Sequence, residues 1–73
     1  MKESLIRNYR KNDKKMTLLD VSLQTKLRET VIAAIETRRT VAYPKQRVAL
    51  AAFFDKPESE LFGEDGFALL GPE

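Results

Sequence analysis

The stretch that decides the fold is residues 17–36, which read TLLDVSLQTKLRETVIAAIE. Thr17 is a good helix N-cap because its hydroxyl can accept from the free amides of the next turn. Asp20, three residues later, stands where a carboxylate is favoured by the positive end of the helix dipole. A helix over about residues 18–25 follows from this start, with Val21 on its apolar face.

A second helical pattern fills the rest of the same stretch. Val31, Ile32 and Ile35 recur at helical spacing, with Leu27 one turn earlier, and predict a further helix. The residues between the two patterns, KLR at 26–28, contain neither Gly nor Pro. Propensity alone therefore permits one continuous helix across both patterns.

The segments on either side of this stretch are also helical in pattern. Apolar residues near the start predict a first helix over about residues 2–12, and the polar residues 12–15 suit a turn. Pro44 suits the first position of a helix over about residues 44–54, and Pro57 opens a short fifth helix. We expect an all-α fold, a compact bundle of about five short helices.

The length allows one domain, residues 1–73, and only a small hydrophobic core. We expect the main part of the domain at about residues 3–62, followed by a C-terminal tail at 63–73. The tail contains four consecutive apolar residues at 67–70, FALL, which we expect to dock on the domain itself or on a partner.

The fourth helix is apolar on all sides between residues 48 and 54, VALAAFF, so we expect it to be covered on more than one side. Two coverings are open. Either the tail folds back over this helix, or a second copy of the chain packs on it. For the second case the expected dimer interface is Ala49, Phe53, Phe67, Leu69 and Leu70.

The composition excludes several kinds of chemistry. The chain has no Cys and no His, so thiol, zinc-finger and imidazole chemistry lack their residues, and we expect no enzyme, no cofactor and no metal. Acidic residues cluster after residue 57 without the order of a Ca²⁺-binding loop. No apolar run reaches the length of a membrane span, and the charged start MKE predicts a cytoplasmic protein. We also expect no membrane partner and no small-molecule substrate.

The net charge of +2 is the sum of two unlike halves. Residues 1–47 hold 12 Lys or Arg and 5 Asp or Glu, whereas residues 48–73 hold 1 and 6, which gives +7 and −5. A positive surface of this size attracts phosphates, although a chance gradient over a solvated surface would give the same count.

Residues 17–36 resemble the helix-turn-helix of the phage repressor and Cro-like family of DNA-binding domains, the xenobiotic-response-element type. The likeness covers about residues 3–62 and is carried by a capped second helix, a branched-plus-small pair, an Ile-Glu ending, a basic loop and a Pro: Thr17, Val21-Ser22, Ile32, Ile35-Glu36, Arg38-Arg39 and Pro44. Three positions depart from the family pattern. Leu18 replaces a Gln, Lys26 replaces the Gly of the turn, and the Gly after Ile-Glu is missing, with Arg38 in its place.

The resemblance implies a lambda-repressor-like fold and a sequence-specific regulator, repressor-like, that binds double-stranded DNA, with the helix at 28–36 in the major groove. It implies base contacts by Arg28, Glu29, Thr30 and Ala33. Phosphate contacts are expected from residues that flank this helix: Thr17, Lys14, Lys15, Lys26, Arg38, Arg39 and Lys45. We expect a homodimer, because a few base contacts in one monomer specify too short a site. The alternative is a protein-interaction adaptor that uses the helix at 44–54 and the apolar tail.

Overall fold

Five α-helices dominate the computed structural model, which describes residues 3–71. They are α1 (Leu5–Asn8), α2 (Leu18–Thr25), α3 (Glu29–Glu36), α4 (Pro44–Phe54) and α5 (Glu58–Leu61), and a turn of π-helix, Tyr9–Asp13, follows α1 directly. The described residues form no strand and contain two isolated β-bridges. The all-α bundle predicted from the sequence is confirmed, and the bounds of α2 and α4 agree with the predicted ones.

The first helix starts later than the predicted residue 2. Ser4 is extended, and its hydroxyl oxygen accepts a hydrogen bond from the amide of Arg7 at 3.2 Å, so Ser4 caps the helix. The helical course then continues to Asp13 through the π-turn, where the amide of Lys14 donates to the carbonyl of Tyr9 at 2.9 Å. The polar turn expected at residues 12–15 therefore begins only at Lys14.

Three residues break what could have been one long helix into α2 and α3. Lys26 adopts the left-handed conformation, with φ 62°, and ends α2. The hydroxyl of Ser22 donates to the carbonyl of Leu27 at 2.5 Å, and the Thr25 hydroxyl accepts from the amide of Leu27 at 3.3 Å. Arg28 is extended and precedes α3. The turn predicted from the family resemblance therefore exists at residues 26–28.

Left-handed residues also end other helical segments. Lys15 follows the π-turn, Arg38 follows α3 and Asp55 ends α4, with φ values of 53°, 62° and 56°. None of them is a glycine, although this conformation costs a side-chain-bearing residue about 1 kcal/mol.

Fully buried aliphatic side chains from every helix form one core. Ile6 of α1, Val21 of α2, Leu50 of α4 and Leu61 of α5 are inaccessible to solvent, as are both isoleucines of α3. Burial of each such side chain contributes about 1.5–3 kcal/mol relative to an exposed one. The helical spacing that predicted α2 and α3 identified their buried residues correctly.

The tail docks on its own domain and completes the core. Ala68 is fully buried and pairs with Phe62 in one β-bridge, and Leu70 pairs with Ser4 in the other. Backbone hydrogen bonds from Leu69 to Leu61 and from Leu5 to Leu69, both 2.8 Å, hold the tail between α5 and α1. Of the two dockings expected for residues 67–70, the structure therefore has the one on the domain itself.

Candidate nucleic-acid interface

The outward face of α3 carries the four residues predicted to contact bases. Arg28 occupies the N-cap position and is exposed, and Glu29 and Thr30 are exposed in the first turn. Ala33 is half-buried one turn later. Because Ile32 and Ile35 fix the opposite face in the core, this face is the side of α3 that a ligand can reach.

A shallow groove runs along this face and brings two classes of predicted residue together. It is lined by Thr30, Ala33, Ala34, Thr37 and Arg39. The amide of Arg39 donates to the carbonyl of Ala34 at 2.9 Å, and this bond folds the loop back along the last turn of α3. The sequence pattern places Ala34 and Thr37 on the same face as Thr30 and Ala33, although neither was among the predicted base contacts.

The predicted phosphate-contacting residues are all exposed: Thr17, Lys14, Lys15, Lys26, Arg38, Arg39 and Lys45. Two of them interact with aromatic rings of their own chain. The ammonium of Lys14 lies 5.2 Å from the centre of the Phe53 ring, and the guanidinium of Arg38 lies 5.6 Å from that of Phe67. Arg39 rather than Arg38 therefore joins the α3 groove.

Thr17 forms a reciprocal cap with Asp20 at the start of α2. The Thr17 hydroxyl oxygen accepts from the Asp20 amide at 3.2 Å, and the Asp20 carboxylate accepts from the Thr17 amide at 3.0 Å. The hydrogen bonds from the Thr17 amide and from its hydroxyl lower the pKa of Asp20. The Thr17 amide and hydroxyl therefore both serve the start of α2, and a phosphate contact by Thr17 stays a prediction.

A buried ion pair fixes the end of α3 to the first helical segment. Arg10 Nε lies 2.6 Å from Glu36 Oε2, and Arg10 Nη2 lies 3.1 Å from Oε1. The second terminal nitrogen of Arg10 donates to the carbonyl of Met16 at 2.9 Å. Glu36 therefore joins the last turn of α3 to the helical segment that precedes α2.

The residues predicted for a dimer interface are covered to different degrees. Ala49, Phe53, Phe67 and Leu69 are half-buried in their own domain, and Leu70 is exposed. The most exposed apolar side chains on α2 and α4 are ones that sequence reasoning did not select, Leu23 at 71% and Val48 at 58%.

The chain matches no known protein family, no curated protein and no solved structure. The similarity to Cro-like domains stays a prediction from residues 3–62, and the proposal for function depends on the geometry of the α2–α3 unit.

Other kinds of site find little support among residues 3–71. No three Asp or Glu side chains there converge to hold a metal ion. No helix within the same residues is long and apolar enough to cross a bilayer. Tyr43 is exposed just before α4, and its amide donates to Gln46 Oε1 at 2.8 Å.

Proposed function

We propose that this protein is a sequence-specific double-stranded DNA-binding regulator in which α3 enters the major groove. The observation that carries the proposal is the α2–turn–α3 unit, whose second helix is anchored on one face and exposed on the other. A helix presented in this way matches the width of the major groove and places its first residues at base edges.

The chemistry of the exposed face suits base recognition. Arg28 can donate to two acceptors of guanine, Glu29 can accept from cytosine, and Thr30 and Ala33 can contact the methyl group of thymine. Arg39 lies beside this face and is placed to contact the phosphates that border the groove.

The surrounding charges supply affinity that does not depend on sequence. Exposed cations stand before α2, between α2 and α3, and after α3, at Lys14, Lys15, Lys26, Arg38 and Arg39. Neutralising phosphates with such residues releases counterions, so affinity should fall steeply with salt. A regulator of this kind needs access to DNA, and the predicted cytoplasmic location provides that access.

The experiment is selection of bound sequences from a random duplex pool, followed by titrations at several salt concentrations. Arg28→Ala should relax the base preference at one position of the selected site, at a cost of about 1–3 kcal/mol for the preferred base. Arg39→Ala should weaken all sequences alike and reduce the salt slope by about one unit.

A matched control is Lys11→Ala, because Lys11 pairs with Glu3 at 3.5 Å and does not line the groove of α3. Lys11→Ala should leave the base preference unchanged, and it should reduce the salt slope by less than Arg39→Ala does. A pool without enrichment, or equal losses for Arg28→Ala and Arg39→Ala on every sequence, would reject the assignment of α3 as the reading helix.

The adaptor hypothesis makes a different demand on the chain. It uses the tail as a binding segment, whereas Ala68 is buried in the domain and the tail backbone is hydrogen-bonded on both sides. An adaptor would therefore have to bind through the exposed face of α4 alone, and it would bind no selected DNA.

A further inference from the structure

One face of α4 remains uncovered after the tail has docked. Lys45, Val48, Ala52 and Asp55 follow one another at helical spacing and are all exposed. We call these four residues the α4 stripe. The opposite face, with Leu50 and Phe54, lies in the core, so the α4 stripe is directed away from the domain.

The charges of the α4 stripe oppose the dipole of their own helix. Lys45 lies in the first turn, near the positive end of the dipole, and Asp55 ends the helix, near the negative end. No acidic residue occupies the first turn and no basic residue the last. Within a single copy both charges are therefore unfavourably placed.

We propose that the α4 stripe pairs with the α4 stripe of a second copy in antiparallel orientation. The two-fold axis lies between the two helices, at the level of position 50 along each of them. Position 50 is midway between 45 and 55 and also midway between 48 and 52, so such an axis places Lys45 beside Asp55 of the partner subunit and Val48 beside the partner's Ala52. An isologous contact requires this kind of self-complementary pattern. The pairing gives each charge an opposite neighbour that its own helix lacks.

The shape of the surface agrees with the charge pattern. Val48 projects with 58% of its surface exposed and borders a concave surface that is also lined by Ala51, Ala52, Asp55, Lys56, Pro57 and Glu58. The two-fold axis sets the projecting Val48 of each copy against the short side chain of Ala52 in the other. Short side chains allow the two helices to approach closely.

One further cation, Lys56, borders the stripe and lines the same concave surface. Its ammonium lies 4.8 Å from the centre of the Tyr9 ring in its own domain, and this contact engages the charge within the copy that carries it. The assignment moves Lys45 from the phosphate contacts predicted from the sequence to the subunit contact. It also replaces Ala49 and Phe53, which are half-buried, with Val48 and Ala52 as the centre of the interface.

The contact is small, because it is built on one helix of 11 residues, so the dimer should be weak. The pairing does not depend on DNA binding and is measured without DNA. Sedimentation over protein concentrations from about 10 µM to about 1 mM should show a monomer–dimer equilibrium. A chain that is monomeric throughout this range would overturn the proposal.

The centre of the contact is tested by Val48→Asp. The matched control is Leu23→Asp, because Leu23 lies on α2, outside the proposed contact, and is more exposed than Val48. Both variants should keep the helical circular dichroism of the parent. Val48→Asp sets two buried carboxylates in the contact and should weaken dimerisation about 100-fold or more, whereas Leu23→Asp should leave it unchanged. Equal effects of the two substitutions, or none from Val48→Asp, would refute the location.

The register is tested by exchanging charges. Lys45→Glu and Asp55→Lys should each create two like-charge pairs and weaken the homodimer about tenfold. An equimolar mixture of the two variants should recover dimers, because Glu at 45 of one copy then faces Lys at 55 of the other. A mixture no more dimeric than its components would overturn the antiparallel pairing, and failure of this test would leave the DNA-binding proposal standing.

Discussion

Replacement of Glu36 by Ala is expected to destabilise the domain more than any surface substitution. The Glu36 side chain is 3% exposed and that of Arg10 is 11% exposed, and two hydrogen bonds join them. Removing one partner of a buried ion pair leaves the other charge buried without compensation and costs about 3–5 kcal/mol. The Arg10 bond to the carbonyl of Met16 remains, but it neutralises no charge.

This cost is large relative to the whole stability. A chain of 73 residues is expected to unfold at a cost of about 4–11 kcal/mol in total. With a urea slope of about 1 kcal/mol per molar, the midpoint should fall by about 3 M or more. Glu36→Ala should therefore remove a large part of the free energy of unfolding.

The measurement is urea unfolding followed by far-ultraviolet circular dichroism, with two comparison variants. Glu3→Ala removes the exposed partner of Lys11, where the side chains are 43% and 42% exposed, and should cost less than about 1 kcal/mol. The double variant Arg10→Met with Glu36→Leu removes both charges together and should lie within about 2 kcal/mol of the parent. A Glu36→Ala variant no less stable than Glu3→Ala would refute the reasoning.

Two further predictions concern the turn and the tail. The variant Lys26→Gly should be more stable than Lys26→Ala by about 1 kcal/mol, because φ is positive at this position. At Gln24, inside α2, the order of the Gly and Ala variants should reverse. The same order at both sites in urea unfolding would contradict the left-handed turn. Removal of residues 67–73 should lower the free energy of unfolding by about 2 kcal/mol or more, since it deletes the buried Ala68 and the backbone bonds to Leu61 and Leu5. Unchanged stability of the shortened chain would show that the tail only rests on the surface.

Because the docked tail is part of the folded domain, its removal affects stability as well as any binding by the tail. Loss of DNA binding after removal of residues 67–73 would follow from unfolding, so truncation does not separate a DNA-binding domain from an adaptor. Single substitutions on exposed residues, such as Arg28 and Val48, make that separation without disturbing the core.

Sequence reasoning located the helices best where local chemistry is strong. Thr17 and Asp20 predicted the start of α2, and Pro44 predicted the start of α4, because caps and proline act within one turn of the chain. The start of the first helix was wrong because Ser4 is held extended by a bridge to Leu70, a contact between distant parts of the sequence. Local patterns carry no information on such a partner.

The candidate site divides in the same way. The outward face of α3 follows from the spacing of Ile32 and Ile35, so exposure of Arg28, Glu29 and Thr30 was predictable from period alone. The difference between two adjacent arginines was not predictable. Arg38 turns to the ring of Phe67 and Arg39 to the groove of α3, and this depends on where the tail docks.

By itself the sequence determined the class of fold, the starts of α2 and α4 and the separation of positive from negative charge. These features depend on composition, on local capping residues and on short-range periodicity. Tertiary structure decided the break at Lys26, the burial of the Arg10–Glu36 pair, the docking of the tail and the face of α4 that remains open. Each of these depends on contacts between segments far apart in the chain, whose free energy exceeds the local preference of about 1 kcal/mol per residue that the sequence pattern expresses.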